Sequence, residues 1–261
     1  MINKTRLLAG LAVGCMLSTP AAFAEEYRGF YFGVWGGTGD IDLGSKRALD
    51  TSYTANLGTQ LSQVPIQPFT NLTATPMSSD LDDTTTPWGA QVGFRFNKWV
   101  AVEVGYVNLG EATYTLSGAI NGTYAYICPC DNTTIVARPL LGNFESSLDV
   151  TSQGLTAAAL GMLPLGQHFD LHLRGGIYYA DTRVTRRLRY IDAVEQSDVF
   201  NLLHRRTDAS QTELFAGIGG AWNINESFTL RVEYQKYFDV GDKDKNGESD
   251  IDVINLSILF K

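Results

Sequence analysis

Apolar and polar residues alternate with a period of two along eight separate stretches of this 261-residue chain. The last stretch, residues 252–260, sets Ile254, Leu256, Ile258 and Phe260 on one parity and Asn255 and Ser257 on the other. Successive side chains of a β-strand point to opposite faces, so each stretch predicts a strand with one apolar and one polar face. Turn residues bound them. The predicted strands span 29–37, 88–96, 99–109, 153–163, 169–182, 212–222, 228–238 and 252–260. In the seventh, Phe228, Leu230, Val232 and Tyr234 oppose Thr229, Arg231, Glu233 and Gln235. In the fifth, Phe169, Leu171, Leu173, Ile177 and Tyr179 oppose Asp170, His172, Arg174 and Tyr178.

The connections are sorted by length. Those after the second, fourth and sixth strands are short turns, 97–98, 164–168 and 223–227. Those after the first, third, fifth and seventh are long: 38–87, 110–152, 183–211 and 239–251. Short turns at one end and long loops at the other are the signature of an outer-membrane barrel, and an even strand number puts both termini in the periplasm. Alternation alone also fits a soluble lipid carrier. The sorted loops, the terminal aromatic and the aromatics at strand ends (Phe30, Trp88, Trp99, Tyr106, Trp222, Phe238) favour the membrane, where aromatics girdle the two interfaces. The expected fold is all-β, an eight-stranded antiparallel up-and-down transmembrane β-barrel over residues 25–261.

Residues 1–24 read as an export signal. Lys4 and Arg6 form a basic start, 7–17 is an apolar run, and Ala22-Phe23-Ala24 is a cleavage site, with cleavage expected before Glu25. The run is too short for a transmembrane helix, which needs about 20 residues. Cys15 after Gly14 offers a competing lipid-anchor reading, which Ala12 and Val13 fit poorly. Loss of Lys4 and Arg6 takes the formal net charge from −8 to −10. Such a chain is no partner for nucleic acid, whose phosphates require a basic surface. Cys128 and Cys130 remain, flanking Pro129. In an oxidising compartment they are candidates for a local disulfide, with free or intermolecular thiols and a metal site as the alternatives.

Four segments carry a family resemblance: GFYFGVWGG near the mature N-terminus, the hairpin GFRFNKWVAVEVGYVNLG, LPLGQHFDLHLRGG, and GESDIDVINLSILF at the end. On these the chain resembles the OmpA-like outer-membrane β-barrel family over its whole mature length. The resemblance implies an eight-stranded barrel crossing the outer membrane of a Gram-negative bacterium, with ion pairs inside it. It is the barrel domain alone that is matched, without the periplasmic peptidoglycan-binding domain of larger members.

An eight-stranded barrel is just filled by its inward side chains. Parity places Arg95, Glu103, Arg174, Glu213, Arg231 and Glu233 inside, where charges are expected to pair because an unpaired buried charge is costly. Either the pairs are a polar plug that holds the barrel, or they rearrange to gate a small ion or solute channel. Catalysis is not expected. His168, His172 and His204 are scattered over a turn, a strand and a loop, and no Ser-His-acid set is placed on one rim.

The long loops are the expected surface. Residues 38–87 are rich in Ser, Thr, Asn and Pro, with acids at Asp80, Asp82 and Asp83, and are expected to be disordered. Arg183, Arg186, Arg187, Arg189, Arg205 and Arg206 crowd the third loop, near the lipopolysaccharide head groups. Arginine pairs well with phosphate, so the choice is between contact with lipopolysaccharide or a host glycan and pairing with acids of neighbouring loops. In the fourth loop Asp242, Asp244, Asn246 and Asp250, with Gly247 at the turn, match the start of a calcium loop, but Val253 stands where the bidentate Glu belongs. Calcium would therefore bind weakly, and no other cofactor is expected. The partners expected are outer-membrane lipid, lipopolysaccharide and an external ligand, with the barrel a monomer.

Overall fold

The structure, a computed structural model, describes residues 28–62, 69–127, 135–192, 199–242 and 247–261. Its strands in chain order are β1 (Gly29–Ile41), β2 (Phe69–Asp82), β3 (Thr84–Thr85), β4 (Trp88–Arg95), β5 (Val100–Ile127), β6 (Ile135–Pro164), β7 (Phe169–Asp192), β8 (Val199–Asn223), β9 (Phe228–Asp242) and β10 (Gly247–Phe260). One helix, α1 (Lys46–Ser62), lies between β1 and β2. Eight of the strands form the ring β1-β4-β5-β6-β7-β8-β9-β10, all antiparallel. Pairing of β10 with β1, from Phe32 opposite Phe260 to Ile41 opposite Ile251, closes it. Closure leaves no sheet edge in the hydrocarbon, which is why barrels span membranes.

The faces follow the parity of the sequence. Thr229, Arg231, Glu233 and Gln235 are buried inside, whereas Phe228, Val232 and Tyr234 are exposed on the outer wall. Around the end with the short turns, Phe32 stacks on Phe260 at 4.9 Å, Phe30 packs on Phe94 at 4.7 Å, and Phe169 stacks on Trp222 at 6.1 Å. At the other boundary Trp88 packs on Tyr106 at 5.7 Å, with Tyr179 and Phe238 exposed nearby in the outer wall. These are the two aromatic girdles.

Two of the long connections are not loops. β5, β6, β7 and β8 run for 28, 30, 24 and 25 residues. Crossing the membrane takes only about 9–11 residues. Most of 110–152 and 183–211 is therefore strand projecting beyond the outer girdle. The alternation is present there with its faces exchanged. Tyr114, Leu116, Ile120, Phe144, Leu148, Val150, Val184, Leu188 and Tyr190 point inward and form a second apolar core, separate from that of the lumen. The outward residues face water and most are polar, with Met77, Ile135 and Leu141 as exposed apolar exceptions. In β5 a bulge between Asn108 and Gly110 makes the switch. Gly110 has φ +87°, open to glycine without strain. Before it the odd positions Glu103 and Val107 point inward; after it the even positions Ala112, Tyr114 and Leu116 do.

The first long loop, expected to be disordered, is also ordered over most of its length. Ser45 caps α1, its Oγ accepting from the Ala48 amide at 3.3 Å. Leu49 and Tyr53, one turn apart on the helix, pack on the second core. β2 adds to the projecting part of β5. The result is an outer sheet β2-β5-β6-β7-β8 with α1 against its inner face. In the fourth connection β9 and β10 pair up to Asp242 opposite Gly247. Asp239 (φ 50°) and Gly241 (φ 124°) bend β9 on the way.

Candidate functional site

Four inward residues of the membrane-spanning wall meet at one point in the lumen. Glu103 from β5 accepts from Arg231 Nη1 of β9 at 2.7 Å and lies 3.2 Å from Arg174 Nη2 of β7. The Tyr31 hydroxyl of β1 donates to the same Glu103 oxygen, Oε1, at 2.7 Å. Glu233 Oε2 lies 3.6 Å from Arg174 Nη1, 3.5 Å from Arg231 Nε and 3.5 Å from His172 Nε2. Glu103, Arg174, Arg231 and Glu233 are all at most 5 % exposed. The two carboxylates, Glu103 and Glu233, stand against the two guanidiniums, Arg174 and Arg231. The glycines facing them make room for this: a Cβ on Gly217 would come within 2.7 Å of Glu233 Oε1, and one on Gly219 within 2.7 Å of the His172 ring.

The other two members of the predicted interior set lie elsewhere. Arg95 sits at the end with the short turns. It pairs with Asp170 at 3.3 Å and donates to the carbonyls of Asn97 and Lys98. Asn223 and Lys261 extend this second network, Asn223 donating to Asp170 at 3.1 Å and accepting from Lys261 Nζ at 2.7 Å. Glu213 is half-buried at the opposite end, near the like charges of Asp239 and Glu248, and forms no described ion pair. It does not join the cluster. His172 and Asp170 were legible as inward by parity but were not among the predicted ion-pair residues.

Aromatic rings cover the cluster on its outer side. The Arg174 guanidinium lies 5.3 Å from the centre of the Phe215 ring, Phe215 stacks on Tyr237 at 5.1 Å, and Tyr237 meets Tyr178 edge-on at 5.2 Å. Tyr178 shares a 2.9 Å hydrogen bond with Ser152, and Tyr237 donates to Gln235 at 2.7 Å. On the other side, between the cluster and the Arg95–Asp170 network, the cavity measures about 30 Å³, the space of one water. Outside the aromatic layer the mouth opens into a cavity of about 490 Å³ with Arg186 and Val184 on one wall and Asp239 and Asp250 on another.

The predicted surface arginines divide into two groups. Arg183, Arg187, Arg189 and Arg206 pair with Asp208 (2.9 Å), Asp149 (3.6 Å), Glu145 (3.9 Å) and Asp208 (2.9 Å) respectively. Arg186 and Arg205 stand opposite one another on β7 and β8, on the parity that faces the mouth. In the calcium-like segment, Asp250 is engaged by Lys236 Nζ at 2.9 Å and by the Asp239 amide at 3.1 Å, while Asp242 is buried. Asp244 and Asn246, like Cys128 and Cys130, lie outside the described residues. Among the described residues no three His, Cys, Asp or Glu side chains converge as a metal site would require. His168, His172 and His204 fall on a turn, in the lumen and on the projecting part of β8.

One tie between α1 and the outer sheet is sensitive to acid. Asp50 accepts from the Tyr114 hydroxyl at 2.7 Å and pairs with Lys46 at 3.3 Å. Hydrogen bonds from Ser79 and then Tyr114 hold its carboxyl below the usual carboxylate range. A carboxyl lowered in the folded state contributes stability above its unfolded value, about 3.9, which is lost as the pH falls through the folded value. Amide exchange in α1, corrected for its intrinsic pH dependence, is expected to speed up below about pH 4. In Asp50→Asn that acid step should be missing; an unchanged step there would assign it to another group.

No curated protein matches the chain by sequence. Among solved structures it is similar to the Neisserial surface protein A, at 9 % identity and a TM-score of 0.41, with 91 % of this chain and 98 % of that one covered. It is similar also to the outer membrane protein OprG of Pseudomonas aeruginosa (10 %, TM-score 0.39, 90 % and 97 % covered). A third is Ail, the attachment invasion locus protein of Yersinia pestis, solved with the heparin analogue sucrose octasulfate (10 %, TM-score 0.37, 88 % and 97 % covered). The model of the OmpA-like transmembrane domain matches residues 30–261, the whole of the barrel and its projecting sheet, and the chain belongs to that family of β-barrels in the outer membrane of Gram-negative bacteria.

Proposed function

We propose that this barrel is a closed anchor whose work is done outside the membrane, where the projecting sheet meets lipopolysaccharide and external partners, without catalysis. One observation carries the reading. The lumen is filled by a balanced charge cluster under an aromatic layer, while four strands continue far past the membrane around an apolar core of their own. A pore has no use for that outer core, and an anchor has no use for an open lumen. On the outward face of the sheet the arginines and acids alternate, a surface suited to phosphate and sugar hydroxyls. In this reading Arg183, Arg187, Arg189 and Arg206 serve the lipopolysaccharide boundary. Arg186 and Arg205 serve the mouth.

The competing reading is a small channel gated by Glu103, Arg174, Arg231 and Glu233. Single-channel recording on the folded protein in planar bilayers separates them. The anchor reading expects no discrete conductance steps at neutral pH. Steps in the unmodified protein, with a larger conductance in Arg231→Ala, would establish the channel and overturn the anchor.

A further inference from the structure

Two depressions lie one above the other on the outer wall; the upper is lined by β5, β6 and β7, and the lower, wider one by the same three strands together with β1, β4 and the edge of β8. The lower is an apolar groove of about 850 Å³ in the lipid-facing belt. The small outward side chains Ala90 and Ala157 line it beside the larger Val104, Leu155, Ile177 and Tyr179. The upper is a polar pocket of about 290 Å³, lined by Asn108, Glu111, Thr151, Gln153, Asp181 and Arg183. They meet at the outer aromatic girdle. There the Tyr106 hydroxyl, from the groove, donates to Gln153 Oε1, from the pocket, at 3.0 Å.

We propose that groove and pocket together hold a single molecule of an acylated, phosphorylated saccharide, the chemistry of the lipopolysaccharide in the outer leaflet. Acyl chains fill the groove and the phosphorylated sugar enters the pocket. Lipid must cover the groove in any case, because it faces the hydrocarbon; the pocket above it selects which lipid stays. Arg183 commits its Nε to Asp208 at 2.9 Å, yet its side chain is still 42 % exposed and can present Nη1 and Nη2 to a phosphate. Asn108, Thr151 and Gln153 offer donors and acceptors for sugar hydroxyls. Glu111 and Asp181 accept from sugar hydroxyls, which offsets their repulsion of the phosphate. A glycerophospholipid meets the same repulsion with fewer hydroxyls to offset it. The inference deepens the lipopolysaccharide contact proposed above and rests on it, but not on the closure of the lumen.

Native mass spectrometry on the folded, delipidated barrel tests it, with short-chain (deep-rough) lipopolysaccharide and phosphatidylglycerol as the probes. One lipopolysaccharide per barrel is expected to survive transfer, in preference to phosphatidylglycerol. Ala157→Phe obstructs the groove without making the lipid face polar, and Arg183→Gln removes the phosphate partner. Each is expected to weaken retention about ten-fold, the effect of about 1.4 kcal/mol. Val232→Phe, outward on β9 across the barrel, is expected to change nothing. Resistance to cold SDS verifies that each variant is folded. Equal retention in all four proteins, equal loss in Val232→Phe, or no preference over phosphatidylglycerol would overturn the site. A conducting barrel with intact, selective retention would overturn the anchor reading and leave the site standing.

Discussion

Replacing Glu103 with alanine is expected to remove about 3–5 kcal/mol of stability from the folded barrel, the usual result of breaking a buried ion pair from one side. Glu103 is 2 % exposed and is the shared partner of Arg231 at 2.7 Å, Arg174 at 3.2 Å and the Tyr31 hydroxyl at 2.7 Å. Without it two guanidiniums remain in the lumen with Glu233 as their one carboxylate partner among the described residues. Urea unfolding in lipid vesicles, followed by loss of the SDS-resistant form, measures the change. Glu213→Ala is the internal comparison. That residue is acidic and inward like Glu103 but forms no described ion pair, so its replacement is expected to stay within about 0.5 kcal/mol. Equal effects of the two would mean that the cluster does not hold the barrel. The double variant Glu103→Ala with Arg231→Met should be less destabilised than the sum of its parts, because removing both partners leaves less charge uncompensated.

This cluster was legible in the sequence only in part, and the reason is geometric. Parity assigns a face. It does not assign a height along the barrel axis. Arg95, Glu103, Arg174, Glu213, Arg231 and Glu233 share the inward face, yet the register places Glu213 opposite Tyr178, above the aromatic layer, and Arg95 next to the short turns. The eight membrane-spanning strands could be placed because lipid outside and polar groups inside give each one a sharp alternation. Beyond the girdle water replaces lipid, and the apolar face becomes the inner one. In β5 the even positions are apolar on the lipid side (Val100, Val102, Val104) and apolar again in the outer core (Ala112, Tyr114, Leu116), and the bulge at Gly110 is what turns that parity from outward to inward. Threonines and serines on the other parity made the rest read as loop. α1 carried one local signal, Ser45 as an N-cap, in a segment whose composition otherwise suggested disorder.

The exchange of faces has a mechanical consequence: the outer sheet should be able to unfold without the barrel. Phe144→Ala is expected to destabilise the projecting sheet by about 3–5 kcal/mol, the range for deleting a buried aromatic ring. Phe144 is 1 % exposed and stands opposite Gly118 and Tyr190 on the neighbouring strands. A Cβ on Gly118 would come within 2.9 Å of its ring, so the glycine leaves the ring its place. The ring belongs to the outer core, which shares no buried residue with the core of the lumen and touches it through the half-buried Leu43. Local stabilities differ within a fold wherever cores are separate. Protease added to reconstituted vesicles is expected to cut β5, β6 and β7 of the variant above the girdle much faster than in the unmodified protein. The shortened barrel should still resist cold SDS, because the charge cluster and the pairing of β10 with β1 from Phe32 to Gly36 lie below every cut, and the cuts fall on neither of those two strands. Loss of SDS resistance together with the outer sheet would make the two regions one cooperative unit. In that case the projecting sheet could not change its conformation on meeting a partner without loosening the anchor in the membrane.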